Sequence, residues 1–154
     1  MSNKVKIYFK SILIPVLVGG VVGFIISPFI DYNSLQKPPL APPSILFPII
    51  WTALYVLMGV SYGILKNNNL VDNDIDRIYY LQLFFNALWP VVFFILKWRL
   101  FAALWIVILA VLVIIMTVRF YRKNTLAGLL QIPYILWTLF ATYLNIGVYL
   151  LNKW

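Results

Sequence analysis

Very few side chains in this sequence could carry out acid–base, nucleophilic or metal chemistry. Cysteine, histidine and glutamate are absent, and the four aspartates all lie between apolar runs. These absences exclude disulfides, cysteine nucleophiles, His–Cys zinc sites and histidine-ligated haem. What remains is a large aromatic content, 18% of the chain, and a few amides within apolar runs. We therefore expect the chain to bind an apolar molecule, without a metal ion and without conventional catalysis.

One segment combines prolines with a regular aromatic stripe. It opens with Pro38, Pro39, Pro42 and Pro43, which exclude a helix there. The apolar helix that follows carries five large side chains at successive spacings of four, four, three and four: Phe47, Trp51, Tyr55, Met58 and Tyr62. This spacing places them on one helix face. An extended cover that leads into an aromatic face predicts the lid and wall of an apolar pocket.

A second stripe carries amides as well as aromatic rings. Gln82 and Asn86 align with Trp89 and Phe93 at helical spacing, and Pro90 removes the helical donor for the Asn86 carbonyl. A polar spot of this kind is costly inside a membrane and needs an explanation. Either the amide bonds a neighbouring helix, or it is one of the few polar groups of a ligand pocket. Aromatic stripes on three helices, the third with Tyr134 and Trp137 in the last apolar run, favour the pocket.

The composition identifies an integral membrane protein. Of 154 residues, 64% are hydrophobic and 10% are charged, whereas a soluble domain is nearer half apolar and a quarter charged. The net charge of +8 is scattered at the ends of apolar runs, which indicates orientation in a lipid bilayer and no nucleic-acid binding. We predict an all-α membrane protein, a single-domain bundle of five transmembrane helices at about 11–30, 45–65, 78–96, 100–118 and 126–151.

The segments between these runs predict caps, breaks and orientation. The first run is longer than a signal-peptide core and is expected to be retained. Ser44 is expected to cap the second helix, residues 66–76 to form an aqueous loop, and Pro133 to free the Leu129 carbonyl in the last helix. Eight of the 12 lysines and arginines lie on the N-terminal side, which predicts a cytoplasmic N-terminus and an outside proline loop. Gly19, Gly23 and Ser27 form a small-residue face, either for packing within the chain or for a dimer.

Four motifs occur in order along the chain: Lys37-Pro38…Pro42-Pro43, Trp51-x-x-Leu54-Tyr55-x-x-Met58-Gly59, Asn86-x-x-Trp89-Pro90-x-x-Phe93-Phe94, and Pro133-Tyr134-x-x-Trp137-x-x-Phe140-Ala141-x-x-Leu144-Asn145. No single motif is decisive, but the ordered set is highly specific. Through this ordered set of motifs, the chain resembles the TspO/MBR family. This family comprises the tryptophan-rich sensory proteins of bacteria and the mitochondrial translocator protein, or peripheral-type benzodiazepine receptor. Two departures are Leu40, where an aromatic residue is usual, and Trp105, where an acidic residue is common.

The resemblance implies a TspO-like five-helix bundle, usually a homodimer, with a pocket beneath the first loop. In the family that pocket takes porphyrins, and in animal relatives cholesterol and benzodiazepine- or isoquinoline-type drugs. Carried onto this chain, the ligand-binding positions are Tyr32, Pro42, Phe47, Trp51, Tyr55, Asn86, Trp89, Phe93, Trp137, Ala141, Leu144 and Asn145. The family's proposed photo-oxidative breakdown of porphyrin would give Trp51 and Trp137 a catalytic role.

Two functions follow from this reading. The first is binding of tetrapyrroles, such as protoporphyrin IX and haem-type molecules, and of isoquinoline carboxamide drugs, for transport or stress sensing in a bacterial cell membrane; the porphyrin is then a ligand and no cofactor is expected. The alternative is a light- and oxygen-dependent porphyrin-degrading enzyme. A proton-coupled drug exporter is disfavoured because the five apolar runs contain no Asp, Glu or His.

Overall fold

A computed structural model describes residues 1–153, and the regular structure there is entirely helical. Two short 3₁₀ turns, Ser27–Phe29 and Tyr32–Ser34, lie in the first loop, and a π-helix, Val91–Ile95, extends the third helix. The α-helices are α1 (Asn3–Ile26), α2 (Leu46–Asn67), α3 (Asn73–Pro90), α4 (Arg99–Lys123), α5 (Thr125–Leu129) and α6 (Ile132–Asn152).

Five helical segments are long and apolar enough to cross a bilayer: Asn3–Phe29, Leu46–Asn67, Asn73–Ile95, Arg99–Lys123 and Thr125–Asn152. Their lengths run from 22 to 28 residues, and about 20 suffice. The predicted all-α bundle of five membrane helices is therefore confirmed. Five crossings place the two ends of the bundle's chain on opposite sides of the membrane, while the side that each end faces stays a prediction.

The first helix begins earlier than the predicted residue 11. Ser2 caps it, because its Oγ accepts a hydrogen bond of 3.3 Å from the Val5 N–H, so α1 starts at Asn3. Lys4, Lys6 and Lys10, which precede the predicted start of this helix, therefore lie on its first turns. At the other end α1 gives way at Ser27 to the 3₁₀ turn that contains Pro28, short of the predicted end at residue 30.

The second and third helices also differ at their starts. The expected cap at Ser44 is wrong: α2 begins at Leu46, and its N-cap residue is Ile45, which makes no side-chain capping bond. The third helix begins inside the predicted aqueous loop, because the Asp72 carboxylate accepts a hydrogen bond of 2.9 Å from the Ile75 N–H. Asp72 also pairs with Lys123 at 2.7 Å, and this contact lowers the pKa of the Asp72 carboxyl.

The fourth and last spans correct two further expectations. Residues 119–125, which lie between the fourth and fifth predicted spans, are largely helical, since α4 continues to Lys123. The last span is divided, with α5 ending at Leu129 and α6 beginning at Ile132. Pro133 thus lies in a first helical turn, where a missing N–H costs little, and does not interrupt a continuous helix. At the break, the Gln131 amide donates to Ser61 Oγ at 2.6 Å, which fastens the break to α2.

The core lies among α2, α3, α4 and α6, and α1 packs on its outside. Only Ser11, Pro15 and Ile26 of α1 are buried. Close approach of α1 to α2 depends on Gly59, because a Cβ there would collide with the Ile12 backbone. On the predicted small-residue face, Gly19 packs against the Tyr55 ring within the chain, whereas a Cβ at Gly23 would meet nothing.

Candidate ligand-binding site

A cavity of about 480 Å³ lies between α1, α2, α3 and α6, beneath the first loop. Eleven of the twelve positions predicted for ligand binding line it: Tyr32, Phe47, Trp51, Tyr55, Asn86, Trp89, Phe93, Trp137, Ala141, Leu144 and Asn145. The twelfth, Pro42, is not a lining residue. Its carbonyl instead accepts a hydrogen bond of 2.7 Å from the Tyr32 hydroxyl. The helical spacing thus brings the predicted set around one space, and Pro42 acts on it through Tyr32.

The aromatic wall is built mainly from edge-to-face contacts between helices. The Trp137 ring meets Phe47 with centroids 5.8 Å apart and Trp51 with centroids 6.4 Å apart, at interplanar angles of 64° and 86°. Tyr32 closes over Phe47 at 5.0 Å. Such perpendicular pairs are favoured by the ring quadrupoles and fix the orientation of each ring. The wall therefore presents pre-set ring faces and edges to the cavity.

Asn86 takes part in a buried chain of hydrogen bonds across three helices. Its Oδ1 accepts from the Tyr55 hydroxyl at 2.5 Å, and its Nδ2 donates to the Tyr134 hydroxyl at 2.6 Å. The Tyr134 hydroxyl in turn donates to Gln82 Oε1 at 2.7 Å. The two explanations considered for Asn86 are therefore compatible, since the amide lines the cavity and also joins neighbouring helices.

This chain of hydrogen bonds includes two residues that the sequence reasoning missed. Tyr134 was recognised only as part of a motif, and Gln82 only as a neighbour of Asn86 on one face. Both are fully buried. The available signal was the number of polar side chains in apolar runs, since each buried amide needs partners on other helices. It could not reveal which phenol meets which amide.

A second amide is also fully engaged. Asn145 Nδ2 donates to the Ala141 carbonyl of its own helix at 2.7 Å, and this bond orients the side chain. Its Oδ1 then accepts from Trp89 Nε1 at 3.0 Å. Trp89 lies in addition against Phe93, with centroids 5.1 Å apart. The α3 and α6 sides of the cavity are joined by these contacts.

One buried side-chain polar group among the lining residues has no protein partner. Among the described residues, Trp137 is the only lining residue with a buried side-chain donor or acceptor, its Nε1, that makes no hydrogen bond. An unpaired buried donor costs about 1–3 kcal/mol. The Trp137 N–H is therefore a buried donor beside the cavity that no protein group satisfies.

The first loop is fastened over the cavity through its main chain. The Tyr143 hydroxyl donates to the Pro39 carbonyl at 2.7 Å. Asn152 exchanges two bonds with the backbone of Gln36, of 3.0 and 2.8 Å. Pro38 packs where Gly147 has no side chain, because a Cβ at Gly147 would collide with the proline ring. Both α6 and the loop are shaped for this contact.

Two features of the loop concern single residues. Leu40 has a φ of 69° and is 84% exposed, at the third position of a turn closed by the Ala41 N–H and the Pro38 carbonyl. The residue that departs from the family pattern there thus points away from the cavity. Burial raises the pKa of the Tyr32 hydroxyl, which keeps it protonated as a donor to Pro42.

An ion pair joins the start of the loop to α4. Arg99 Nη2 lies 2.7 Å from Asp31 Oδ2, and the guanidinium also stacks over the Phe93 ring at 4.2 Å. Phe93 belongs to the π-helix, which starts directly after Pro90, where the proline cannot donate a helical bond. This local change of helix type places Phe93 between the cavity and the Asp31–Arg99 pair.

Together, the fold and the cavity define a class: a multi-pass α-helical membrane protein that encloses a small-molecule-sized space within its bundle. The chain belongs to the TspO/MBR family, whose model matches residues 11–151. It is similar to protein CrtK of Rhodobacter capsulatus, with 36% identity over 86% of this chain and 85% of the relative. It is also similar to the tryptophan-rich protein TspO of Archaeoglobus fulgidus (38%, covering 79% of each) and the translocator protein of Homo sapiens (31%, covering 77% and 72%).

Proposed function

We propose that this protein binds tetrapyrroles such as protoporphyrin IX, and other flat apolar molecules such as isoquinoline carboxamides, in the cavity beneath the first loop, for transport or sensing. The observation that supports this proposal is the convergence of eleven predicted positions on one cavity. Its volume of about 480 Å³ falls within the range of small-molecule sites, roughly 300–1,000 Å³. We also propose a cytoplasmic N-terminus and a homodimer.

The wall provides two kinds of contact for such a ligand. The indole rings of Trp51 and Trp137 offer aromatic surface to a macrocycle, each ring contact adding about 0.5–1.5 kcal/mol beyond burial. The unpartnered Trp137 N–H would donate to a carbonyl or propionate oxygen. Asn86 and Asn145 are already engaged by protein groups, so we assign them to holding the wall.

The composition also sets a preference among tetrapyrroles. Histidine and cysteine are absent from the chain, so strong axial ligation of haem iron is not available. We therefore expect metal-free protoporphyrin IX to bind about as tightly as haem. A much higher affinity for haem than for protoporphyrin IX would contradict this mode of binding.

The test is a protoporphyrin IX titration of the purified protein in detergent, in the dark. We expect a saturable change in the Soret band together with quenching of tryptophan fluorescence. Trp137→Phe should weaken binding by about tenfold, since it removes a donor that no protein group satisfies. Trp98→Phe is the matched control, because Trp98 lies outside the cavity and its replacement should leave the affinity unchanged. Absence of saturable binding would overturn the proposal.

A second candidate function is light- and oxygen-dependent breakdown of the bound porphyrin. The observation that favours it is the edge-to-face pair of Trp51 and Trp137, two oxidisable indoles on the cavity wall with centroids 6.4 Å apart. Illumination of the titrated sample should then yield a new absorbing product. The double variant Trp51→Phe/Trp137→Phe should form no product per porphyrin bound. Degradation that persists in the double variant would remove the tryptophans from this role.

A further inference from the structure

The ligand cavity reaches the surface of the bundle on the side of α1 and α2. Four of its lining residues are exposed on these two helices: Gly20 and Gly23 on α1, and Pro48 and Thr52 on α2. The residues that line the cavity from α3, from the π-helix and from α6 are all buried or half-buried. The cavity is therefore closed on the α3 and α6 sides and open between α1 and α2.

The opening begins where the close packing of α1 against α2 stops. The two antiparallel helices meet at glycines in three successive places: Gly63 against Tyr8, Gly59 against Ile12, and Gly19 against Tyr55. One turn further along α1, the same register would bring Gly23 opposite Trp51 and Thr52. A Cβ at Gly23 would nevertheless meet no atom within 4 Å, and the same holds at Gly20. The helices have thus separated beyond Gly19 and leave a gap between them.

This gap lies within the apolar thickness of the two spans. Gly20 is nine residues before the end of the span Asn3–Phe29, and Thr52 is six residues after the start of the span Leu46–Asn67. At 1.5 Å per residue, both lie about 9–14 Å below the loop end of the bundle. The Thr52 hydroxyl donates to the Pro48 carbonyl at 2.7 Å, and none of the described residues that line the cavity is charged. The edges of the gap thus match lipid chains and not water.

The direction from water is obstructed by the first loop. Besides its bonds to α6, the loop is held by Lys37, whose Nζ donates to the Tyr32 and Leu35 carbonyls at 3.1 Å each. The Tyr32 ring lies over Phe47, and Arg99 pairs with the start of the loop. A molecule that came from water would have to break several of these contacts. A molecule that came through the gap would break none of them.

We infer that ligands enter the cavity from the lipid bilayer, through a lateral window between Gly20 and Gly23 of α1 and Pro48 and Thr52 of α2. This inference rests on the proposed binding function and specifies its substrate class: flat apolar molecules that are already dissolved in the membrane. The two glycines leave one edge of the window without side chains, which suits a thin ring system that passes edge-on. Acid groups of such a molecule stay towards the loop end, at the level of the lipid headgroups.

The experiment uses the absence of cysteine from the chain, which allows a single thiol to be placed at the window. In Gly23→Cys, reconstituted in liposomes, benzyl methanethiosulfonate adds a benzylthio group as a mixed disulfide. Stopped-flow quenching of tryptophan fluorescence then follows the binding of protoporphyrin IX mixed with these liposomes. We expect the group to slow association and dissociation about tenfold each, with the equilibrium affinity changed by less than about twofold. Removal of the group with dithiothreitol should restore both rates.

Val21→Cys with the same benzylthio group is the matched control. Val21 is 57% exposed on the same helix and does not line the cavity, so the rates should equal those of the unaltered chain. The modification at position 23 is also repeated in a Tyr143→Phe/Asn152→Ala chain, in which two bonds of the loop are removed. The benzylthio group should slow association there to the same degree.

The equilibrium titration of unmodified Gly23→Cys separates failure of the window from failure of the binding function. Absence of saturable binding there and in the unaltered chain would overturn the binding function and the window with it. Saturable binding with rates that the benzylthio group does not alter would overturn the window alone. A lower affinity with an unchanged association rate would place position 23 inside the binding site. Faster association after loop release, without any effect of the group, would show that ligands enter beneath the loop.

Discussion

At the scale of single residues, Asn86 connects the cavity wall to the core. Its amide bonds the phenols of Tyr55 and Tyr134, and these come from helices α2 and α6. In the apolar interior of a membrane bundle, few groups can replace a lost hydrogen-bond partner. Asn86 therefore holds three helices in fixed rotation about their axes, and with them the rings on the cavity wall.

We expect Asn86→Leu to destabilise the protein by about 1–3 kcal/mol, because the buried Tyr55 hydroxyl loses its acceptor and Tyr134 loses a donor. Thermal unfolding in detergent measures the effect. Thr142→Ala is the control, since the Thr142 hydroxyl bonds only the Thr138 carbonyl of its own helix at 2.8 Å. Equal melting temperatures for the two variants would contradict the network's role.

At this scale the sequence predicted positions better than partners. Trp51, Tyr55 and Phe47 share a face because side-chain direction follows from helical spacing alone, and that spacing is visible in the sequence. Which hydroxyl meets the Asn86 amide depends on the rotation and depth of α6 relative to α3. These are set by packing of whole helices, so the Tyr134 contact could not be predicted. The contact of the Pro42 carbonyl with Tyr32 was not predictable for a related reason, since loop geometry has no period.

At the scale of elements, the backbone contact between α1 and α2 depends on Gly59. Gly59 lies against the backbone of Ile12, so that the two helices meet without an intervening side chain. Two glycines of α1 differ from it, since a Cβ at Gly20 or Gly23 would meet no atom within 4 Å. Glycines in the two helices thus differ in whether close helix packing requires them.

We expect Gly59→Ala to destabilise the protein by about 1–3 kcal/mol, because the added methyl group must push α1 away from α2. Gly20→Ala adds the same methyl group in open space and should be neutral or stabilising by up to about 1 kcal/mol. Chemical unfolding of the two variants side by side measures the difference. A loss of stability in Gly20→Ala equal to that in Gly59→Ala would show that the contact is not the cause.

Element identity was predictable, and element ends were only partly so. Five apolar runs of about 20 residues predict five spans because the bilayer imposes their length. The ends are set by local polar contacts, such as Ser2 with Val5 and Asp72 with Ile75, which extend helices beyond their apolar runs. The break between α5 and α6 was missed because a proline permits either a kinked helix or a new helical start.

At the scale of the whole molecule, the first loop covers the cavity that the helix bundle encloses. Tyr143 and Asn152 on α6 hold this loop by hydrogen bonds to the backbone of Pro39 and Gln36. Tyr143 is exposed and Asn152 is the last residue of α6, so the fastening of the loop is separable from the stability of the bundle.

We expect Tyr143→Phe/Asn152→Ala to release the loop while the bundle stays folded. Hydrogen–deuterium exchange should become roughly tenfold faster for each net hydrogen bond lost, in a peptide that contains Gln36 and Lys37. Peptides from α3 and α4 should exchange as before. Thr142→Ala, on the same helix, is again the control. Unchanged exchange in the loop peptide would mean that other contacts hold the first loop in place.

The way in which the loop is fastened has a consequence for redesign. Pro39, Pro42 and Gln36 all contribute carbonyl oxygens, which every amino acid possesses. These hydrogen bonds therefore depend on the path of the loop backbone and not on the side chains at these three positions. Side chains at exposed positions such as Leu40 can be exchanged to carry a fluorophore or a crosslinker, and the first loop will still close over a molecule bound in the cavity.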